Sequence, residues 1–296
     1  MQNKFSILRQ IISCSFILVL SLWGIQPALC EKKATPLPKS INEFRSAPVE
    51  KIVQAYKDAS DENMKSDVRK IISDNSTTSS DWQKLFVVLM ETMCETYFDS
   101  KKPRHELCAE VQLACDKRFG KSSIESDMSH LVYAVSFTLV EEGRKAWDEY
   151  DLGVRSGRLA KSNPDFLVKS LQALGISFGE NLYGSDCAHS FILADQFIVT
   201  HKVSLPVQAD LYSAATESIH RQSDGRDCSD SLYQKFANLA IKLDKQLGPK
   251  YSEKLKNVLN YKDVHASSDK ESIERNKRFE QRRAAHQRQL KKAKKK

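Results

Sequence analysis

Hydrophobic residues recur three and four positions apart along most of the chain between residues 46 and 247. That spacing places them on one face of an α-helix, whereas a half-buried strand would alternate apolar and polar residues. A clear example is the run Leu167, Leu171, Leu174 and Phe178. We find no alternating run, so the pattern predicts an all-α fold: an array of about ten amphipathic helices packed as helical hairpins.

Breaks in this pattern divide the chain into regions. Residues 31–45 are aperiodic and predict a flexible lead-in, followed by an N-terminal helical region over 46–150. Residues 151–163 form the longest interior break, and a C-terminal helical-hairpin region follows over 164–261. The basic tail, 262–296, has few large apolar residues and is predicted to be an extended helix or disordered.

Capping signals give the starts of three helices. Ser46 precedes an apolar run with Pro in its first turn, and Ser80 to Gln83 matches a capping box. Ser122 is predicted to cap one long helix, which carries its apolar residues from Ile124 to Trp147.

The first thirty residues have the pattern of a secretory signal peptide. Lys4 and Arg9 precede an apolar run over 11–25, and Ala28 and Cys30 occupy the −3 and −1 positions for cleavage after Cys30. We therefore expect a secreted or periplasmic protein. An uncleaved anchor or a lipid anchor on Cys30 is the alternative.

Export makes disulfides possible, and five of the seven cysteines follow the leader. Cys94 and Cys108 flank a predicted helix–turn–helix and form one candidate pair, while Cys187 and Cys228 form a second. Cys115 is then left over. The alternative is that these cysteines are small buried apolar residues.

Two predicted helices carry similar residues 34 positions apart: Leu171, Leu174, Gly175 and Phe178, then Leu205, Gln208, Ala209 and Tyr212. Together with Phe191 and Ala194, the first set resembles one tetratricopeptide-type unit, and the resemblance implies that the array is a degenerate solenoid of this kind. The resemblance covers about a quarter of the chain, and it implies a groove for an extended peptide or a partner helix, without catalysis. It departs from the family at Cys187, where a small Ala is expected, and at the Asp224-Gly225 insertion, and no Pro ends the unit.

The segment from Gly175 to Gly179 matches the G-x-S-x-G motif of serine hydrolases, with Ser177 as the nucleophile. That motif requires a preceding strand, and the residues before it have a helical pattern. A secreted serine hydrolase therefore stays an alternative only. The residues that one can nominate as its partners are His189, His201, His220, Asp186 and Asp210.

The sequence predicts no metal site, no cofactor and no small-molecule substrate. The seven histidines form no i, i+4 pair, and Cys187 and His189 fall on different faces of a helix. The acidic loop around Asp224, Asp227 and Asp230 lacks the spacing of a calcium loop. An acidic cluster beside Trp147 is interpreted as a solvated helix face: Glu141, Glu142, Asp148, Glu149 and Asp151.

The net charge of +8 is concentrated at the C-terminus. From residue 275 onward there are eleven Lys and Arg against one acid, which gives +10 and leaves −2 for the remainder. The basic residues are Arg275, Lys277, Arg278, Arg282, Arg283, Arg288, Lys291, Lys292, Lys294, Lys295 and Lys296. Such a segment binds anionic polymers or membrane surfaces through counterion release. A solubilising tail without a ligand is the alternative.

These features together predict an exported, non-enzymatic helical interaction protein, with a protein-binding surface on the body and a polyanion-binding tail. A second hypothesis is a secreted effector that uses the tail for nucleic-acid binding or nuclear targeting.

Overall fold

The computed structural model describes residues 35–94, 100–180, 184–222 and 230–248. The chain divides into two units, Met1–Thr35 and Pro36–Lys296, and every described helix belongs to the second. Within the described ranges all regular elements are α-helices, without a strand, which confirms the all-α fold. No helix in these ranges is long and apolar enough to cross a membrane.

The described residues form twelve helices. In chain order they are α1 Ile41–Ser46, α2 Val49–Asp58, α3 Asp61–Ser73, α4 Ser79–Met93, α5 Lys101–Phe119, α6 Ile124–Leu139, α7 Gly143–Val154, α8 Arg158–Ser162, α9 Pro164–Glu180, α10 Gly184–Thr200, α11 Leu205–Gln222 and α12 Asp230–Leu247.

The helices pack in two ways. Neighbours in sequence pack as pairs, namely α5 with α6, α6 with α7, α9 with α10, and α11 with α12. In addition α2 packs on α4, α4 on α6, α6 on α9, and α9 on α11. One hydrophobic cluster runs from Phe44 in α1 to Leu243 in α12, so the two predicted helical regions share a core.

Helix α6 lies at the centre of the array, and thirteen of its sixteen residues are buried. Several of these are polar, and some of them bond to a neighbouring helix. Ser126 donates to Asp116 on α5, and Asp127 accepts from Arg158 on α8 at 2.8 Å. Because buried polar groups are costly without partners, these bonds help to fix how α5 and α8 sit on α6.

The tetratricopeptide-like segment forms the close helical pair that its residues predict. A methyl group at Gly175 of α9 would lie 2.7 Å from two carbons of the Phe191 ring on α10, closer than ordinary van der Waals contact. Glycine at this position therefore lets the two helices approach. The contact supports the local helical hairpin.

Several helix boundaries differ from the predictions. The predicted long helix ends at Leu139, because Glu141 has φ of 63° and turns the chain before α7. The capping box of α4 is formed by Thr78 and Asp81, two residues earlier than predicted. Asp81 is held there by Arg45, whose Nη2 lies 2.9 Å from its carboxylate.

The other differences concern the segments predicted to be irregular. The lead-in contains α1, which buries Phe44 and is capped by Ser40, so it is ordered from that point. Ser46 ends α1 rather than capping α2, whose N-cap is Pro48. Ser123 rather than Ser122 caps α6. Residues 151–163 are mostly helical and contain α8.

Candidate partner-binding groove

A groove of about 620 Å³ lies where α5, α6 and α7 meet. We call it the Leu113–Leu152 groove. Its lining combines two leucines with charged and polar side chains: Gln112, Leu113, Asp116, Lys117, Lys121, His130 and Leu152. Apolar anchors within a polar rim are the arrangement that protein-binding sites use.

The helical period of α5 explains why Leu113 cannot join the core. Val111 and Cys115 on the same helix are buried, and Leu113 lies two residues from each. A separation of two residues is a rotation of about 200°, so Leu113 points away from the core and is 67% exposed. It is one of the four large apolar side chains that the described residues expose.

Leu152 lies across the groove on α7, and it is 39% exposed. Its neighbour Gly153 sets the position of this helix. A methyl group at Gly153 would lie 2.7 Å from Leu131 Cδ2 and 2.8 Å from the Asp127 carbonyl oxygen, both on α6. Because α7 approaches α6 so closely, Leu152 is held at the groove wall.

The charges in the groove are not balanced. Asp116 already accepts hydrogen bonds from Ser126 Oγ at 2.5 Å and from Gln112 Nε2 at 3.0 Å. Lys117 and Lys121 are exposed, and neither forms an ion pair with a described residue. The hydrogen bonds to Asp116 do not remove its charge, so the lining residues carry one negative and two positive charges and are net positive.

His130 and Glu149 form a polar contact that joins α6 to α7 beside the leucines. His130 Nδ1 lies 2.8 Å from Glu149 Oε2, and each side chain is about one-fifth exposed, at 19% and 20%. Together with the close approach at Gly153, this contact makes one side of the groove a fixed surface.

The proposed nucleophile Ser177 is not placed for catalysis. It lies within α9, 1% exposed, and its hydroxyl is hydrogen-bonded to that of Thr138 on α6. The strand and sharp turn that a nucleophile elbow requires do not occur here. Of its nominated partners, Asp186 accepts from Trp147 Nε1 at 3.0 Å, and His189 packs against the same indole ring.

The remaining nominated partners are His201, Asp210 and His220. His201 stacks on Phe197, with ring centroids 3.8 Å apart. Asp210 lies on α11, and the side chain of His220 lies outside the described residues. The structure therefore gives Ser177 a packing role between α6 and α9.

The first predicted disulfide does not occur in this structure. Cys108 is a free thiol, 2% exposed, with its Sγ 3.3 Å from Met93 Sδ. Cys94 Sγ instead lies 3.4 Å from the Met90 carbonyl oxygen. Cys228 lies outside the described residues, so its pairing with Cys187 stays a prediction.

Burial changes the chemistry of two thiols. It raises the pKa of the Cys108 thiol to about 12, and it does the same to the pKa of Cys115. Because the thiolate is the reactive form, these groups are poor nucleophiles and poor metal ligands at neutral pH. Across the described residues there is no group of three or more His, Cys, Asp or Glu side chains able to hold a metal ion.

The acidic residues predicted to form a solvated face near Trp147 do not act as one cluster, because two of them pair with different basic or polar side chains. Glu142 pairs with Lys145 at 3.1 Å, and Glu149 binds His130. Asp148 and Asp151 are exposed. The leader 1–30, the acidic loop at 224 and 227, and all eleven basic tail residues lie outside the described residues.

Comparisons with known proteins give no relative. No protein-family model, no curated protein and no solved structure matches the chain.

The groove residues were not among the sites expected from sequence. The signal that marks Leu113 is a large apolar residue on the polar face of an amphipathic helix. Leu152 carried no such signal, because it fell in the segment predicted to be irregular.

Proposed function

We propose that this chain is an exported, non-enzymatic interaction protein. Its helical body binds a protein partner at the Leu113–Leu152 groove, and its basic tail contacts an anionic polymer or a membrane surface. The observation that carries the proposal is the pairing of two exposed leucines with two lysines that have no described ion-pair partner. A single exposed leucine is common on protein surfaces, so the proposal rests on two exposed leucines that line the same groove beside two lysines.

The binding free energy that the two leucines can contribute is that of an anchor within a larger interface. Complete burial of a leucine side chain contributes about 1.5 to 3 kcal/mol. Scaled by exposed fractions of 67% and 39%, covering Leu113 and Leu152 contributes about 1.5 to 3 kcal/mol together. That equals a factor of roughly 10 to 150 in affinity, so the leucines supply a hot spot while surrounding contacts supply the rest.

A pull-down from native extract tests the role of the body. The full chain is compared with Leu113→Asp and with Val199→Asp, a matched control because Val199 is 81% exposed on α10, outside the groove. We expect a protein retained at 0.5 M salt by the full chain and by the Val199 variant, and lost with Leu113→Asp. Equal retention by all three would exclude the groove.

The same experiment separates the tail from the body. In a second variant the eleven basic residues from 275 to 296 are replaced by Gln. We expect this variant to lose nucleic acid or anionic lipid and to keep the protein partner. The reason is that polyanion binding depends on salt and on these charges. Retention of the polyanion by this variant would contradict the role of the tail.

The export part of the proposal rests on the leader pattern. N-terminal sequencing of the chain from its native source is expected to give a mature protein that begins at Glu31. An intact N-terminus in a cytoplasmic fraction would contradict export. In the alternative effector role the chain also uses its basic tail, but its destination in the cell is different. It predicts that the chain reaches a host nucleus and loses this localisation when the tail is neutralised.

A further inference from the structure

We infer that the Leu113–Leu152 groove takes an acidic amphipathic helical segment of a partner protein. The inference rests on the proposed function and specifies the chemistry of the partner. It selects an acidic segment over a basic one, and it excludes the basic tail of this same chain as the occupant.

The shape of the groove suits a helix with apolar anchors. Leu113 and Leu152 stand on different helices, and both line the groove of about 620 Å³. An amphipathic helix in a groove places anchor side chains at positions i, i+3 or i+4, and i+7. One side of the groove is fixed by Gly153 against α6, so the site is largely formed before binding.

The charges on the groove lining determine whether an acidic or a basic partner segment binds better. Asp116 is the only carboxylate among the lining residues, and its one negative charge is outnumbered by the two positive charges of Lys117 and Lys121. Lys117 and Lys121 are exposed at the rim and are without a described ion-pair partner. A segment with carboxylates beside its leucines would pair with these lysines, whereas the tail, at +10, would be repelled.

The expected size of the effect follows from exposed ion pairs. Each such pair changes Kd by roughly two- to fivefold, and it weakens as salt rises. Reversing the charge of both lysines replaces attraction by repulsion for an acidic peptide and does the opposite for a basic one. The ratio of the two affinities is therefore expected to change by at least about tenfold.

The test uses the full chain and two fluorescein-labelled synthetic peptides. Both carry leucines at helical spacing, and they differ only in having Glu or Lys at the flanking positions. Fluorescence anisotropy at low salt gives Kd for the chain with an unchanged groove, for the double variant Lys117→Glu/Lys121→Glu, for Leu113→Asp and for Val199→Asp. All four proteins are made with the eleven basic tail residues replaced by Gln, so that binding of the acidic peptide to the tail does not hide binding at the groove.

We expect the double variant to lower the preference for the acidic peptide at least tenfold, and Leu113→Asp to weaken acidic-peptide binding about tenfold. Val199→Asp should leave both Kd values unchanged. A preference that survives the charge reversal, or the absence of any Leu113-dependent peptide binding, overturns the inference.

A failure of the inference is distinguishable from a failure of the function. If a native partner is captured through Leu113 and its binding does not respond to the two lysines, the groove is a binding site of another chemistry. If capture is independent of Leu113, the proposed function itself is wrong. Circular dichroism of each variant checks that the fold is retained.

Discussion

The close approach of α7 to α6 at Gly153 leads to a quantitative prediction. A methyl group there would lie 2.7 Å from Leu131 Cδ2 and 2.8 Å from the Asp127 carbonyl oxygen. The leucine end can rotate, but a backbone oxygen in a buried helix cannot move without shifting α6. Gly153→Ala is therefore expected to push the two helices apart.

The magnitude follows from two opposing contributions. Overpacking in a filled core costs about 1 to 3 kcal/mol, whereas replacing Gly by Ala inside a helix gains up to about 1 kcal/mol. We expect a net loss of about 1 to 2 kcal/mol in the free energy of unfolding. The same helix provides a matched control, because a methyl group at Gly143 would lie 3.5 Å from Phe178 Cε1, an ordinary contact.

Urea unfolding followed by the fluorescence of Trp147 on α7 and by circular dichroism measures both variants. With a slope of about 2 to 3 kcal/mol/M, a loss of about 2 kcal/mol lowers the midpoint by about 0.7 to 1 M. Gly143→Ala is expected to leave the midpoint unchanged or to raise it. If Gly153→Ala is as stable as Gly143→Ala, α7 does not approach α6 as closely at Gly153 as we describe, and the argument that this contact holds Leu152 at the groove fails.

Three further predictions concern other parts of the fold. Glu141 adopts φ of 63°, so Glu141→Gly is expected to stabilise the chain by about 1 kcal/mol in urea unfolding, while Glu141→Ala, which keeps the strained conformation, gives no such gain. Burial raises the pKa of Asp81, but hydrogen bonds from Arg45 and the α4 N-cap outweigh it and leave that pKa below its usual range. The carboxylate thus stabilises the fold above about pH 4, and this contribution is lost as pH falls through the lowered pKa. In Asp81→Asn the free energy of unfolding should therefore fall less steeply as the pH is lowered. Since burial raises the pKa of the Cys108 and Cys115 thiols to about 12, iodoacetamide at pH 8 should alkylate neither until urea unfolds the chain, as read by peptide mass spectrometry.

Each of these has a contradicting outcome. A stability equal in the Gly and Ala variants at position 141 would argue against the left-handed turn between α6 and α7. An acid limb that is the same with and without the Asp81 carboxylate would remove its role in capping α4. Rapid alkylation of Cys108 in the folded chain would mean that this part of the core is open to solvent.

The helical fold was predictable because apolar spacing reports directly on the face that a helix buries. Val111 and Cys115 are four residues apart, and both lie on the buried face of α5 in the protein core, as expected. The break after α6 was not predictable in the same way. Leu139 and Trp147 are eight residues apart, which is a helical spacing, so the pattern alone carries one helix across the turn that Glu141 makes with positive φ.

The N-terminus of α4 shows a second limit of local patterns. Several consecutive hydroxyl residues precede this helix, and each is an acceptable cap. Thr78 is selected because Asp81 completes the capping box, and Asp81 is in turn held by Arg45 on α1. That contact joins residues 36 positions apart, which no capping motif contains.

The groove depends even more on contacts distant in sequence. Leu113 is recognisable as an apolar residue on a polar helix face, but its counterpart Leu152 comes from another helix. Lys117 and Lys121 look like ordinary surface charges until the structure places both on the lining of the groove. Sequence gave the compartment and the basic tail as hypotheses, whereas the candidate surface emerged only from helix packing.

Site-specific photo-crosslinking tests the groove as a partner surface most directly. A benzoyl-phenylalanine replaces Leu113 in the full chain, and a second chain carries it at Val199, which is 81% exposed and outside the groove. After irradiation in native extract, we predict one discrete adduct from position 113, identified by mass spectrometry, and no matching adduct from position 199. The same adducts from both positions, or none from position 113, would contradict the assignment of the Leu113–Leu152 groove as the binding surface.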